Sequence, residues 1–343
     1  MDRTEKKVFV TGASGFIGSH MLRLLVHRGH DAAGQVRETS NLFRLKDPFR
    51  TGETRPFPLF FTSLDQDLEP MLEGVDTVVH TAALAREWGA AREFVETNVQ
   101  GTARLAEAAV KAGVRRMIHL SSTVVYGFGG NRDTGEDAEY RPFPHPYCTS
   151  KVEAERALLS YADRIELFIL RPSNVYGPLD TSFTLPLLRA LNHGLPAFPA
   201  GGKPLTSPCF VDNLTHAVML CAEAESPRAG SERPGAAVYN VTDGEDLPWR
   251  RFLEMTAGEL GVRPPIFPIP AGPLTAAARV MSALHLLFHT GRPPLITPYR
   301  MAQVSRDYSF SIERSRGRLG YEPPFSTLQG IRKCVDWYRV YHQ

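Results

Sequence analysis

Val8-Phe9-Val10-Thr11-Gly12-Ala13-Ser14-Gly15-Phe16-Ile17-Gly18-Ser19-His20 is the stretch that decides the fold. It begins as β-branched and aromatic residues, breaks at a glycine, and continues into Met21-Leu22-Arg23-Leu24-Leu25, apolar at helical spacing. That order predicts a strand, a tight turn and the opening of a helix. Gly12 lets the chain turn sharply, Gly15 lets backbone approach a ligand, and Gly18 lets the helix pack closely on the strand. Free N–H groups at the helix start, where Ser14, Phe16 and Ile17 lie, make a site for a pyrophosphate. A glycine triplet alone is a common accident of turns. Here it follows a strand and opens a helix, and that context predicts dinucleotide binding.

Downstream, the helix ends at His27-Arg28-Gly29-His30 and a second strand runs from Asp31 to Val36. Dinucleotide folds that prefer NAD place an acidic residue at this strand's end to bond the ribose hydroxyls. This chain reads Gln35-Val36-Arg37 there, and an arginine suits a 2′-phosphate better than two hydroxyls, so NADP is expected over NAD. Further strands are predicted at Pro58–Thr62, Val75–Thr81, Arg115–Leu120 and Glu166–Leu170. A long helix is predicted over Glu93–Lys111, with Phe94, Val95, Val99, Leu105, Ala108 and Ala109 on its buried side, and another over Tyr147–Leu159. Alternation at this pace means an α/β chain with a doubly wound parallel sheet of the Rossmann type. Ligands to such a sheet bind beyond the strands' carboxyl ends. Ala82 and Ala83, small enough to let a cofactor pass, lie at one such end, and Ser121-Ser122 at another.

Beyond Arg171-Pro172-Ser173-Asn174-Val175-Tyr176-Gly177-Pro178 proline and glycine become frequent. The expected division is a dinucleotide-binding domain over 1–178 and a smaller, interleaved substrate domain over 179–343. Segments near 209–222 and 237–243 are expected to return to the first domain, with Cys209–Val211 and Ala237–Val241 as strands of the main sheet.

Composition is that of an ordinary globular protein: 343 residues, 43% hydrophobic and 22% charged, with a net charge of +2. Near-neutral charge without a dense Lys/Arg block argues against nucleic acid as a partner. Cys148, Cys209, Cys221 and Cys334 are scattered without metal-ligand spacing, which fits reduced thiols and a cytoplasmic setting. The N-terminus runs straight into the first strand, so a signal peptide is not expected. Residues 272–291 are apolar but interrupted by Arg279, His285 and His289. Such a segment reads as an amphipathic helix packed on the body, with contact to a membrane surface as the alternative.

Tyr147 and Lys151, four apart on a predicted helix, share a face. A phenol near its ordinary pKa is a poor base at neutral pH, and a neighbouring ammonium stabilises the phenolate. Ser122 can hydrogen-bond the alcohol or carbonyl oxygen being transformed.

Together these residues resemble the extended short-chain dehydrogenase/reductase superfamily. The matching stretches are Thr11–Gly18, Asn98-Val99-Gln100-Gly101-Thr102, Leu120-Ser121-Ser122 with Val125-Tyr126-Gly127, Tyr147 with Lys151, and Arg171-Pro172 with Val175–Pro178. The resemblance implies that Ser122 orients the substrate oxygen, with Thr123 as a lesser alternative. It makes Tyr147 the acid/base, and Lys151 the residue that lowers its pKa and grips the ribose. It places Ser63, Leu64, Pro172, Asn174 and Val175 at the cofactor, and gives Asn98 a supporting role. It also implies a homodimer through the helices holding Asn98 and Tyr147.

Three departures bear on the chemistry. Ser63 stands where the family carries an aspartate that meets the adenine. Thr123-Val124 stand where sugar dehydratases carry Asp-Glu, so elimination is not expected. Thr206 stands where sugar epimerases carry an arginine for the sugar's diphosphate, although Ser173-Asn174 resembles those enzymes. Pro293–Tyr299, Asp307–Phe310, Arg318–Pro323 and Glu87-Trp88-Gly89 are similar to the 3β-hydroxysteroid and sterol dehydrogenase branch. The expectation is hydride transfer to or from a bulky apolar alcohol or ketone, in a pocket drawing on Trp88, Phe128, Phe183, Leu284 and Phe288. A nucleotide-sugar 4-epimerase is the alternative; intact Ser122, Tyr147 and Lys151 argue against a non-catalytic regulator.

Overall fold

The computed structural model describes residues 7–46, 57–195, 197–227, 235–287 and 296–342. Among them a seven-stranded parallel sheet forms the centre. Its strands are β1 (Lys7–Thr11), β2 (Ala32–Val36), β3 (Leu59–Phe61), β4 (Val75–His80), β5 (Arg116–Leu120), β6 (Glu166–Pro172) and β7 (Ala236–Val241). In space they run β7-β6-β5-β4-β1-β2-β3, so the order reverses between β1 and β4. Helix α1 (Phe16–His27) leaves from the carboxyl end of β1 at that switch point.

Both faces of the sheet are covered, which is why its strands read as nearly unbroken apolar runs. On one face α1 and the helix Val211–Glu223 bring Leu22, Leu25, Leu214 and Val218 against Val10 and Ile118. On the other, Leu105, Ala109 and Leu158 close over Val78, Met117 and Leu167.

Two expectations are corrected here. Of the segments expected to return to the main sheet, Ala236–Val241 does, as β7. Pro208–Phe210 instead pairs with Asn174–Tyr176 in a separate two-stranded ladder. The reason is that β6 has two edges, and β5 and β7 fill them. The predicted long helix is continuous from Ala91 to Lys111, but its middle, Val95–Gln100, widens into a π-type turn. That turn rotates Val95 outward to 38% exposure and swings Asn98 into the interior. A wide turn of this kind is common beside functional sites.

The C-terminal half is less irregular than its glycines and prolines imply. Leu247–Pro248, Leu205–Thr206, Tyr308–Phe310 and Asn131–Thr134 form a four-stranded sheet. A second core gathers Tyr176, Leu188, Trp249, Phe252, Ile331 and Trp337. Helix Ala271–Leu287 occupies most of the 272–291 segment; Phe288 to Gly291 lie outside the described residues. No described helix is long and apolar enough to cross a membrane.

Candidate active site

The glycine turn is built by close contact. Gly12 sits at φ +66°, and a Cβ there would lie 2.7 Å from the Ala82 Cα. At Gly18 a Cβ would lie 2.3 Å from the Gly12 carbonyl oxygen. No side chain caps α1, so its first N–H groups are available to an anionic ligand. A cavity of about 560 Å³ opens beside the turn, a size suited to a cofactor. Gly12, Ser14, Gly15, Arg37, Ser63, Leu64, Ala82 and Ala83, all expected at the cofactor, line it. Phe16 and Ile17 turn their side chains to packing instead: Phe16 meets His20 edge-on at 5.3 Å, and Ile17 rests on the core.

Several lining residues escaped the sequence reading. Gln35 is buried, accepts the Gly12 N–H at 3.0 Å and donates to the Thr62 carbonyl at 2.5 Å, tying the turn to the end of β3. Ser40 accepts the Arg37 N–H at 3.0 Å and lines the cavity with it. Arg104 reaches the same wall and donates to the Leu64 carbonyl at 2.8 Å. The carboxylate missing at Ser63 arrives two residues later, as Asp65, which accepts the Ser63 hydroxyl.

The catalytic candidates meet past the ends of β4 and β5. Ser122 caps the turn Thr123–Tyr126, and its hydroxyl is hydrogen-bonded to Tyr147. Tyr147 opens the helix Pro146–Leu159, where Pro146 fits the first turn and His145 Nδ1 accepts the Tyr147 N–H at 3.2 Å. With Nδ1 accepting, Nε2 carries the proton that His145 donates to the Glu87 carbonyl at 3.1 Å. Asn98 then explains the π-type turn. Its amide donates to Ser150 Oγ at 2.9 Å and accepts the Leu84 N–H at 2.7 Å, joining the tyrosine helix to the segment after β4.

Lys151, buried one turn beyond Tyr147, donates to the Leu120 carbonyl at 2.8 Å. Burial brings its pKa down to about 8, opposed by Glu155. Behind it His80 is held between Thr11 Oγ1 at 2.7 Å and Thr102 Oγ1 at 2.8 Å. Burial, aided by the Lys151 charge, keeps His80 neutral, with its pKa at about 3. The expectation that Lys151 lowers the Tyr147 pKa is not what the geometry gives. Burial pushes the phenol upward, Cys148 adds to the rise, and the Ser122 hydrogen bond opposes it. A phenol that stays protonated at neutral pH is a proton donor.

The lysine carries a stability cost with a definite sign. From about 8 to 10.5 the folded state releases the Lys151 proton before the unfolded chain does, so stability rises with pH across that window. Below it the full cost is present. Lys151→Met removes roughly 3 kcal/mol of that cost and about 1 kcal/mol of hydrogen bond. The expected net gain is roughly 2 kcal/mol at pH 7, with the lysine's share of the rise above pH 8 gone. Urea unfolding at pH 7 and pH 10 checks both.

Phe128, Phe143, Tyr299 and Tyr308 pack as an aromatic wall beside Tyr147. Tyr299 comes from the helix Pro298–Ser305, whose Arg300 donates to the Glu87 carboxylate at 2.7 Å. That bond ties the half-exposed loop bearing Trp88 to the helix. Asn174 donates to Thr206 Oγ1 at 2.8 Å and accepts from Gln303 Nε2 at 2.5 Å. Val175 pairs with Cys209 in the short ladder, and Pro172 closes β6 with its carbonyl 3.4 Å from Thr123 Oγ1. Thr123 is fully buried, with its hydroxyl 2.7 Å from that of Tyr308, which leaves Ser122 as the hydroxyl facing Tyr147. Phe183 and Leu284 do not join this wall. Phe183 packs on Trp249 and Phe252 in the C-terminal core, and Leu284 faces outward at 47% exposure.

A glycine turn of this geometry, with Ser122, Tyr147 and Lys151 beyond the sheet's carboxyl edge, can be placed among known proteins. The model of the NAD dependent epimerase/dehydratase family matches residues 8–241. The chain belongs to that family. It is an enzyme of the extended short-chain dehydrogenase/reductase type, a dehydrogenase or epimerase, with a nicotinamide dinucleotide as cofactor. Human sterol-4-alpha-carboxylate 3-dehydrogenase, decarboxylating, is 30% identical over 97% of this chain and 88% of its own length. A 3 beta-hydroxysteroid dehydrogenase/Delta 5-->4-isomerase of Mycobacterium tuberculosis is 31% identical over 97% and 90%. Among solved structures, MoeE5 in complex with UDP-glucuronic acid and NAD superposes with a TM-score of 0.74 at 27% identity, covering 97% of this chain and 99% of that one.

Proposed function

We propose that this enzyme moves hydride between NADP and a secondary alcohol or ketone on a bulky apolar molecule, of the 3β-hydroxysterol or β-keto lipid kind. The observation that carries this reading is Asn174. Both ends of its amide are taken by neutral groups, Thr206 and Gln303. Thr206 occupies the place where related sugar epimerases carry an arginine. A sugar diphosphate entering here would lose its charge-assisted partner and would have to break two hydrogen bonds. An apolar ring system loses nothing by that closure and gains the aromatic wall. The names of the sterol and steroid relatives support the same reading.

The second reading, a nucleotide-sugar 4-epimerase, draws on MoeE5 and its bound UDP-glucuronic acid. Calorimetric titration of UDP-glucose into the NADP-saturated enzyme separates the two. No binding up to millimolar concentration is expected, whereas micromolar affinity would favour the epimerase.

For the reaction itself, the residues divide the work. Bound nicotinamide supplies or accepts the hydride. Ser122 holds the substrate oxygen, and Tyr147, protonated at neutral pH, gives that oxygen its proton in reduction. Lys151, buried one helical turn away, would hold the ribose of the nicotinamide. In the oxidative direction Tyr147 must first lose its proton, so the oxidation rate is expected to climb with pH.

The preference for NADP rests on Arg37 and Ser40 at the end of β2, with Arg104 on the same wall. Arg37→Ala is expected to weaken NADP on the order of 10–100-fold and NAD by less than about threefold, the worth of one guanidinium–phosphate contact. Fluorescence titration with each dinucleotide reads the difference, and equal losses would remove Arg37 from the 2′-phosphate.

A further inference from the structure

Helix Ala271–Leu287 turns an apolar face to solvent. Its sheltered side carries Leu274, Thr275, Ala278, Met281, Ser282 and His285, while Ala276, Ala277, Val280, Ala283 and Leu284 face outward. Val280 is 60% exposed and Leu284 47%. Arg279 is the one polar side chain among the exposed positions from 271 to 285. A helix at a protein–water boundary ordinarily turns charged and polar residues to that side. The strand Phe267–Ile269, which leads into this helix, adds Phe267 at 64% exposure beside Ile266 at 67%.

The charge along this stretch of the chain is one-sided. From 260 to 306 the chain holds no Asp or Glu, while arginines stand at 263, 279, 292, 300 and 306. Arg263 and Arg279 are exposed. An apolar face flanked by the exposed Arg263 and Arg279 is complementary to a surface that is apolar beneath and anionic at its rim. Helix length sets how the two would meet. Seventeen residues span about 25 Å, less than the ~30 Å hydrocarbon core of a bilayer, so the helix would lie in the interface plane.

We propose that this face docks the enzyme on an anionic phospholipid bilayer. Ala271–Leu287 packs against Pro298–Ser305, the helix that brings Tyr299 and Gln303 to the substrate side. Docking there sets the wall of the substrate site beside the lipid surface. The inference stands apart from the substrate assignment, because its readout is binding to lipid and not turnover.

The test is flotation of the purified full chain with vesicles of phosphatidylcholine alone or mixed 3:1 with phosphatidylglycerol, together with its mass in solution by light scattering. The chain is expected to float with the anionic vesicles, and to do so less in high salt. The double variant Val280→Glu/Leu284→Glu is expected to lose at least about tenfold of the bound fraction while keeping its unfolding midpoint and its affinity for NADPH. Arg279→Glu, which leaves the apolar face intact, is expected to lose the preference for anionic over neutral vesicles. Wild type that floats with neither vesicle, or a double variant that floats as well as wild type, would overturn the proposal. So would a double variant that turns a dimer into a monomer without any vesicle binding in the parent, since the face would then belong to a second copy of the chain.

Discussion

Replacing Tyr147 with phenylalanine is expected to lower kcat roughly 10³-fold, with NADPH binding unchanged within about threefold. The size follows from what the hydroxyl does. It is hydrogen-bonded to Ser122 and belongs to a phenol that burial keeps protonated, so removing it removes the proton donor. The ring remains, and so do His145 at the helix N-terminus and the Asn98–Ser150 bond, since these hold backbone and neighbours rather than the hydroxyl. The unfolding midpoint is therefore expected to stay close to wild type. Stopped-flow turnover beside a dinucleotide titration separates the two effects. Residual activity within tenfold of wild type would take Tyr147 out of the proton transfer.

Glu155→Leu is expected to destabilise the fold by roughly 3–5 kcal/mol, the usual cost of stranding one charge of a buried pair. Glu155 is fully buried and bound to Arg171 at 2.6 Å, with the Ser121 hydroxyl on its other oxygen. Arg171 stacks over Tyr126 and Tyr140 and is itself buried, so the guanidinium left behind has no route to water. A companion change, Arg171→Met, is expected to return a good part of the loss, because two apolar residues strand no charge. The double-mutant cycle by urea unfolding checks this. Additive losses would mean that the pair is not coupled. Since Ser121 precedes Ser122, the folded Glu155→Leu enzyme is also expected to lose activity, which rescue by Glu155→Gln would mark as positioning.

How much of this was legible in the sequence depends on what each residue's partners are. The glycine turn was legible because Gly15 and Gly18 both close on the Gly12 carbonyl within the same stretch, although Thr81 and Ala82, which complete it, come from the end of β4. Tyr147 and Lys151 were legible because helical periodicity alone puts them on one face. The π-type turn was not. Val95 and Val99 have the spacing of a buried stripe, and only the amide of Asn98, drawn to Leu84 and Ser150, favours the wider turn. Nor was the commitment of Asn174, since Thr206 and Gln303 are remote in sequence and meet it only through the short ladder and the C-terminal helix. Arg104 shows no signal in a helix rich in ordinary surface residues; the fold alone turns it to the cavity. Leu284 carries no sequence signal of exposure, because apolar residues are ordinarily inward, yet this helix turns it to solvent.

The most direct test of the central claim is nicotinamide absorbance over time, with NADPH or NADH, against a panel of apolar ketones (steroid and β-keto acyl) and UDP- and dTDP-sugars. Net oxidation of NADPH by an apolar ketone, abolished in Tyr147→Phe, is the expected result. Epimerised sugar with no net change in the cofactor would contradict it.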